Sequence, residues 1–312
     1  MRGFTVPTVQ AGHAIGVDLG GTKILAGVVA RDGSVVRRHE RPTPQDSQEH
    51  VVAELEAAVQ ELLDDSVVAL GFGVPSPIDQ TRGIVVECVN VPLVNAPLRD
   101  TMRDRFGIAV GLDNDATAAA IGEWRVGAGR STEDLVMLTL GTGVGGGVIS
   151  DGKPYRGGIG ADPELGHVVI VHDGRPCQGR CTGRGHLEAY VSGKAVTAAA
   201  QEVFGPSADA HRLVRLANEG DAEAEELLAD VGRHLGSGVG SFVNIFGPEL
   251  FVLGGGFGVA AYDHLLGPVK EMLQREALEP MRSAVRLAKA ELGTAAGLIG
   301  AAFVGFEALD AA

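Results

Sequence analysis

The sequence predicts an α/β fold of two domains built by duplication. Two glycine-turn units of matching pattern stand in different halves of the chain, and helical and strand patterns alternate between and after them. The 312 residues suffice for two cores at ~150 residues per domain. With 45% hydrophobic and 21% charged residues, the chain needs no disulfide or metal merely to fold.

The first unit pairs apolar, β-prone runs at 14–17 and 24–30 across Asp18-Leu19-Gly20-Gly21-Thr22-Lys23, which reads as strand, glycine turn, strand. Val51, Val52, Leu55, Val59, Leu62 and Leu63 then keep helical spacing, and 67–74 is a strand running into Pro75-Ser76-Pro77. A strand at 108–112 leads through Asp113-Asn114-Asp115 into an Ala-rich helix. The second unit starts at the strand 135–140, turns through Gly141-Thr142-Gly143-Val144-Gly145-Gly146-Gly147, and continues as Val148-Ile149-Ser150-Asp151-Gly152. That ending matches the close of the first unit, Val28-Val29-Ala30-Arg31-Asp32-Gly33, so the two read as an internal repeat. An irregular Gly/Cys/His loop fills 152–186, with helices expected at 187–204 and 221–246. A buried strand at 250–253 ends in Gly254-Gly255-Gly256, and helices near 262–279 and 294–310 flank a strand at 285–289. No linker separates the halves, so the boundary near residue 118 is expected to be a hinge in a continuous fold.

Composition narrows the function. A formal net charge of -14 provides no long-range attraction for nucleic acid or an anionic membrane surface, so any phosphate must be held locally. The first residues, MRGFTVPTVQAGH, lack the basic start and apolar core of a signal peptide, and no run of ~18 apolar residues is evident. The expectation is a soluble, cytoplasmic protein without nucleic-acid or membrane partners. Glycine, at 46 residues, is about twice its usual ~7% share, and the excess is expected in turns. Three cysteines make no disulfide framework, but Cys177 and Cys181 lie near histidines.

Four features bear on chemistry. Gly141-x-Gly143-x-x-Gly146 fits the dinucleotide fingerprint by string, yet that fingerprint must open a helix and a strand follows here; Gly193-Lys194 is followed by Ala195, so it is no Walker A motif either. What remains is a pair of glycine hairpins, either plain turns or a place where backbone N–H groups approach phosphate oxygens closely. Asp115 reads either as a helix N-cap or as a general base on an attacking hydroxyl that Asn114 orients. His167, Cys177, Cys181 and His186, with nine, three and four residues intervening, read as a closed Zn2+ site or as a loop with two thiols and ordinary histidines, with His172 a spare candidate. Glu164 and Glu188 bracket that cluster, either as surface charges or as acceptors for several sugar hydroxyls.

Six segments, in order, resemble one family: Asp18-Leu19-Gly20-Gly21-Thr22-Lys23, Asn114-Asp115-Ala116, Leu140 through Gly147, Glu164-Leu165-Gly166-His167, Cys177 through Gly193, and Leu253-Gly254-Gly255-Gly256. They are similar to the ROK family of sugar kinases, repressors and related open reading frames, over residues 14 to about 305. The resemblance implies an actin-like ATPase (ribonuclease H-like) α/β fold with a central cleft. It implies a small domain, 1–118, on which the C-terminal helix 297–312 packs back, and a large domain, 119–296, with a zinc loop at 164–188. Asp115 would be the catalytic base, and Asn90, Asn114, Asp115, Glu164, His167 and Glu188 would bind the sugar. Asp18, Gly20, Gly21, Thr22, Lys23, Gly141, Thr142 and Gly143 would line the ATP phosphates and Mg2+, with Gly254, Gly255 and Gly256 near the adenosine. A structural Zn2+ would sit on His167, Cys177, Cys181 and His186, and a homodimer is expected.

There are departures. The family's zinc motif usually has Cys-x-Cys and a third Cys two residues before the sugar-binding Glu, whereas here three residues intervene between Cys177 and Cys181 and His186 holds the last position. Ser76 stands in Pro-Ser-Pro, where Gly-Pro is more usual. An ATP-dependent hexose kinase, glucose first, is the expected function, with fructose, mannose, allose or an N-acetylated hexosamine as other acceptors. Polyphosphate is a less expected donor. A repressor would need a DNA-binding domain ahead of Asp18, where only residues 1–17 stand, and a catalytically silent sugar sensor would not need the base and phosphate motifs.

Overall fold

The β-branched runs on either side of each glycine turn do pair, and in the computed structural model, which describes residues 12–312, they nucleate two five-stranded sheets of the same design. The first stretch of chain gives β1 (His13–Leu19), β2 (Lys23–Val29), β3 (Val35–Pro42), α1 (Gln48–Leu62), β4 (Val67–Val74), β5 (Ile78–Asp79), β6 (Ile84–Glu87), β7 (Val94–Ala96), α2 (Leu98–Phe106), β8 (Ala109–Asn114) and α3 (Asp115–Val126). The second gives β9 (Leu135–Leu140), β10 (Val144–Ser150), β11 (Lys153–Pro154), α4 (Glu188–Val191), α5 (Gly193–Phe204), α6 (Ala210–Asn218) and α7 (Ala222–Phe246). Then follow β12 (Leu250–Gly254), α8 (Gly256–Ala260), α9 (Tyr262–Glu276), α10 (Met281–Ala284), β13 (Arg286–Lys289) and α11 (Ala296–Asp310).

The chain divides into two compact units, one running up to Ala118 and resuming at Leu298–Ala312, the other Ala119–Gly297. It passes between them twice, inside α3 and inside α11. In the first unit the strand order is β3-β2-β1-β4-β8, with β1 to β3 antiparallel and β4 and β8 parallel to β1. In the second it is β11-β10-β9-β12-β13, with the same orientations. Identical order and orientation in both sheets make the internal repeat a fact of topology as well as of pattern.

In the first unit, Ile15, Val17 and Phe72 of the sheet pack with Val51 and Leu55 of α1 and Met102 of α2, all fully buried. The opposite face carries α11, whose Leu298, Ala302 and Phe306 meet Ala14, Leu25 and Ala69. A row of glycines makes that face possible: Gly16 pairs with Gly27 on one side and with Gly71 on the other, and Gly71 pairs with Gly111. A Cβ on Gly16, Gly71 or Gly111 would overlap the carbonyl oxygen of Leu298, Ala301 or Val304, so the helix backbone lies directly on the strands. The expectation that the excess glycine serves turns is thus incomplete. Glycines also line α7, where Gly232, Gly236 and Gly240 recur every fourth residue against Pro268, Met272 and Glu276 of α9, as close helix packing requires. Tertiary approach, which local pattern does not display, determines both sets.

Other differences are local. The helix expected over 187–204 is two helices, because Ser192 leaves helical geometry and its hydroxyl accepts the Ala195 N–H as the N-cap of α5. The edge strand β3, the small β5–β6–β7 sheet, α2 and α6 were not anticipated. Helices α7 and α9 and strands β12 and β13 lie where expected within a few residues. Against the expectation that no apolar run is long enough to span a membrane, residues 293–310 are long and apolar enough, with mean hydropathy 1.2. More than half of that window is buried inside the protein, as the core role of α11 requires.

Candidate active site

The residues singled out above fall into two groups, one in each unit. In the first unit Asp18 stands near the end of β1, and the turn after it closes with the Gly20 N–H donating to the Lys23 carbonyl at 2.9 Å. The Thr43 hydroxyl and the Gln45 amide hold the Gly20 and Gly21 carbonyls at 2.7 and 2.8 Å. Thr22 stays exposed, and the Lys23 ammonium lies 2.8 Å from Glu40 at the surface. A Cβ on Gly21 would come within 3.2 Å of the Asn90 Cβ, so the loop carrying Asn90 rests on the glycine turn.

Strand β8, parallel to β4, delivers Asn114 and Asp115 to the start of α3. The cap is Asn114: its Oδ1 accepts the Ala116 and Thr117 N–H groups at 2.9 and 3.1 Å. This corrects the alternative that made Asp115 the N-cap. Asp115 is the first helical residue, its carboxylate accepting the Ala116 N–H at 2.8 Å. Burial pushes the Asp115 carboxyl above the usual range, against the hydrogen bonds from Ala116 and Asn114 that favour the anion. Burial, and then the charge of Asp115, raise Asp18 to about 7, with Lys23 pulling the other way.

Further neighbours complete this corner, among them Ser76 of the Pro-Ser-Pro segment. Asp113 is fully buried, and its Oδ1 accepts the Gln80 amide and the Asn114 N–H, each at 3.1 Å. Gln80 also donates to the Leu112 carbonyl at 3.0 Å, so it fixes the end of β8 from the side. Ser76 is buried, its hydroxyl donating to the Pro77 carbonyl at 2.8 Å and accepting the Glu87 N–H at 3.0 Å. Nothing in the spacing of residues 76, 80 and 113 signals these contacts, which join segments distant in sequence.

In the second unit the turn Gly141-Thr142-Gly143 joins β9 to β10, so a strand and not a helix follows the glycines. The Gly141 carbonyl accepts the Gly193 N–H at 2.7 Å, and Glu188 Oε2 accepts the Val144 N–H at 2.8 Å. At the end of β12, Gly255 has φ of 78° and its Cα packs on the Leu140 backbone, a place open to glycine alone. Gly256 is exposed at the start of α8. Glu164 is exposed, just ahead of a short 3-10 turn, Leu165–His167.

His167, Cys177, Cys181 and His186 converge, each offering one ligand atom within 4.8 Å of the others; His172 lies outside the group. The two histidine Nδ1 atoms are 3.2 Å apart, Cys177 Sγ is 3.6 Å from His167 Nδ1, and Cys181 Sγ is 3.5 Å from His186 Nδ1. Bonds of ~2.0 Å to nitrogen and ~2.3 Å to sulfur give a tetrahedron with edges of about 3.3 to 3.8 Å, so the donor set fits a structural Zn2+. The loop is stitched for this by the Cys177 N–H to the Gly183 carbonyl at 3.0 Å and the Arg175 N–H to Tyr190 Oη at 2.8 Å.

The sequence matches the ROK family over residues 14–306. The chain belongs to the ROK family. Among similar ROK proteins are a glucokinase of Streptomyces coelicolor, 33% identical over 93% of this chain and 96% of its own, and an N-acetylmannosamine kinase of Shigella boydii, 32% identical over 93% and 97%. A ROK family glucokinase from Streptomyces griseus, solved in complex with glucose and AMPPNP, superimposes with a TM-score of 0.80 at 34% identity, covering 95% of this chain and all of that one. The ROK fold of this chain is that of the actin-like ATPases, and its duplicated sheets are the two halves of that design.

Proposed function

We propose that this ROK protein is an ATP-dependent hexose kinase that transfers the γ-phosphoryl group to the 6-hydroxyl of glucose. The observation that carries the proposal is Asp115, a carboxylate of raised pKa presented at a helix start by the Asn114 cap, beside the glycine turn and its Asp18. Phosphoryl transfer asks the protein mainly for alignment and charge stabilisation, so one positioned base with backbone donors suffices.

In this reading Asp115 accepts the proton of the attacking hydroxyl, and its raised pKa makes it a better base than an exposed aspartate. Asn90, Asn114, Glu164 and Glu188 orient the sugar. His167 turns Nδ1 to the metal cluster, and in this reading its other ring nitrogen, Nε2, meets a sugar hydroxyl. Gly20, Gly21, Thr22, Lys23, Gly141, Thr142 and Gly143 hold the triphosphate through backbone donors and side chains, and Gly254 to Gly256 lie near the adenosine. Mg2+ held near Asp18 would neutralise charge on the phosphates, and Zn2+ on the Cys2His2 set would brace the loop under Glu164 and Glu188. A cytoplasmic homodimer completes the proposal. The likeness to N-acetylmannosamine kinase favours one alternative acceptor, an N-acetylated hexosamine.

Coupled ADP release with ATP and Mg2+ against glucose, mannose, fructose, allose, N-acetylglucosamine and N-acetylmannosamine, with a no-sugar control, tests it. The expected result is a sugar-dependent rate highest with glucose. A preference for another sugar reassigns the acceptor, and no sugar-stimulated rate from zinc-replete protein removes the kinase proposal.

A further inference from the structure

We infer that Glu188 is also a positioning residue for the glycine hairpin of its own unit, so that one carboxylate serves both the sugar and the nucleotide. The inference rests on the assignment of that hairpin to phosphate given above. A turn of Gly141, Thr142 and Gly143 running into Gly145, Gly146 and Gly147 has few side chains to hold it, and glycine loses the most conformational freedom on ordering. The ladder with β9 holds the chain from Val144 onward, and the Gly141 N–H closes the turn on the Gly143 carbonyl at 3.0 Å. Contacts from outside the hairpin therefore act chiefly on the turn itself.

Two such anchors are visible, one from the first residue of α5 and one from the first residue of α4. The Gly193 N–H reaches the Gly141 carbonyl at 2.7 Å, at the first residue of the turn, and Glu188 Oε2 takes the Val144 N–H at 2.8 Å, just after it. Val144 is buried, so its N–H needs an acceptor inside the protein, and the Glu188 carboxyl oxygen supplies it. The fit is close: a Cβ on Gly143 would run into Glu188 Oε2, and one on Gly193 into the Gly141 carbonyl. Glu188 is itself held from the metal loop. Its main-chain carbonyl accepts the Gln178 amide at 3.3 Å, and Cys177 Sγ lies 4.0 Å from its Oε1. A sugar hydroxyl that engages this carboxylate therefore acts on a group already bonded to the hairpin, and any resulting coupling between sugar and nucleotide affinity is reciprocal.

The test compares Glu188→Ala, Glu188→Gln and Glu164→Ala with the wild type, without sugar. Hydrogen exchange of the segment 141–147 reads the hairpin, calorimetry with Mg2+ and a non-hydrolysable ATP analogue reads nucleotide affinity, and a separate glucose titration reads sugar affinity. Glu188→Ala is expected to speed exchange of the Val144 amide at least tenfold and to weaken nucleotide binding at least fivefold. Glu188→Gln keeps a carbonyl acceptor and is expected to stay within twofold of wild type in both, although glucose affinity falls. Glu164→Ala is expected to lower glucose affinity alone. Unchanged exchange in Glu188→Ala, or equal nucleotide loss in Glu188→Gln and Glu188→Ala, would overturn the inference. Should the wild type bind no nucleotide, the proposed function fails, while the exchange result still decides whether Glu188 pins the hairpin.

Discussion

Asp18 and Asp115 lie close enough that the charge of Asp115, added to burial, raises the Asp18 carboxyl to about 7. Two acids from different segments, one near the end of the first strand and one opening α3, thus share a poorly solvated corner of one unit. Each makes the other harder to ionise until a cation arrives.

The base assignment predicts that Asp115→Asn lowers kcat by ~10²–10⁴-fold while glucose binding survives, as measured by initial rates and calorimetry. Because the base must be ionised and its pKa is raised, wild-type activity should fall on acidification through a pKa above the ordinary carboxylate range. Near-normal turnover in Asp115→Asn would remove this residue from the chemistry.

For Asp18 the sign is opposite to that of a salt-bridged carboxylate. Between the ordinary aspartate value of 3.8 and about 7 the folded protein keeps a proton that the unfolded chain has released. Its contribution is therefore full below the unfolded value and lost as pH rises through about 7. The unliganded wild type should lose melting temperature relative to Asp18→Asn as pH rises across that window, and parallel melting curves would refute the coupling.

Gly71 is the tightest point beneath α11, where a side chain meets the Ala301 carbonyl and cannot swing away. Gly71→Ala should cost about 3 kcal/mol or more, since overpacking a rigid backbone contact exceeds the usual core penalty. Gly152, at a positive φ of 65° but with open space around it, makes the contrast: alanine there should cost only about 1 kcal/mol in urea unfolding.

Glu123 is fully buried, and its carboxylate gathers the N–H groups of Ala128, Glu291 and Leu292 at 2.9, 3.1 and 2.8 Å. It ties the helix through which the chain leaves the first unit to the segment just before its return. Glu123→Ala strands three donors and should destabilise the protein by about 2–4 kcal/mol, read from the denaturant midpoint.

The metal cluster predicts one Zn2+ per chain by emission spectrometry, lost in Cys181→Ser. Chelation should lower the melting temperature and raise protease cleavage within 164–188, because four converging ligands would then have nothing to hold them together.

Much of this was legible in the chain. Glycine turns flanked by apolar strands announced both hairpins, because strand propensity and turn chemistry are local. The acidic residues after β8 and the Cys/His loop announced a site, because side-chain chemistry is written in residue type. Whether Asn114 or Asp115 caps α3 was not legible, since either side chain can cap and only the approach of the strand decides.

By itself, the sequence determined the duplicated α/β design, the family to which the chain belongs and the residue types at each motif. Tertiary structure decided which glycines serve turns and which admit a helix backbone, as at Gly16, Gly71 and Gly111. It also selected His167 and His186 over His172 and set Glu188 against the Val144 amide. The reason is the range of the forces: propensities and turns act over a few residues, whereas close packing, desolvation and ligand convergence depend on segments that only folding brings together.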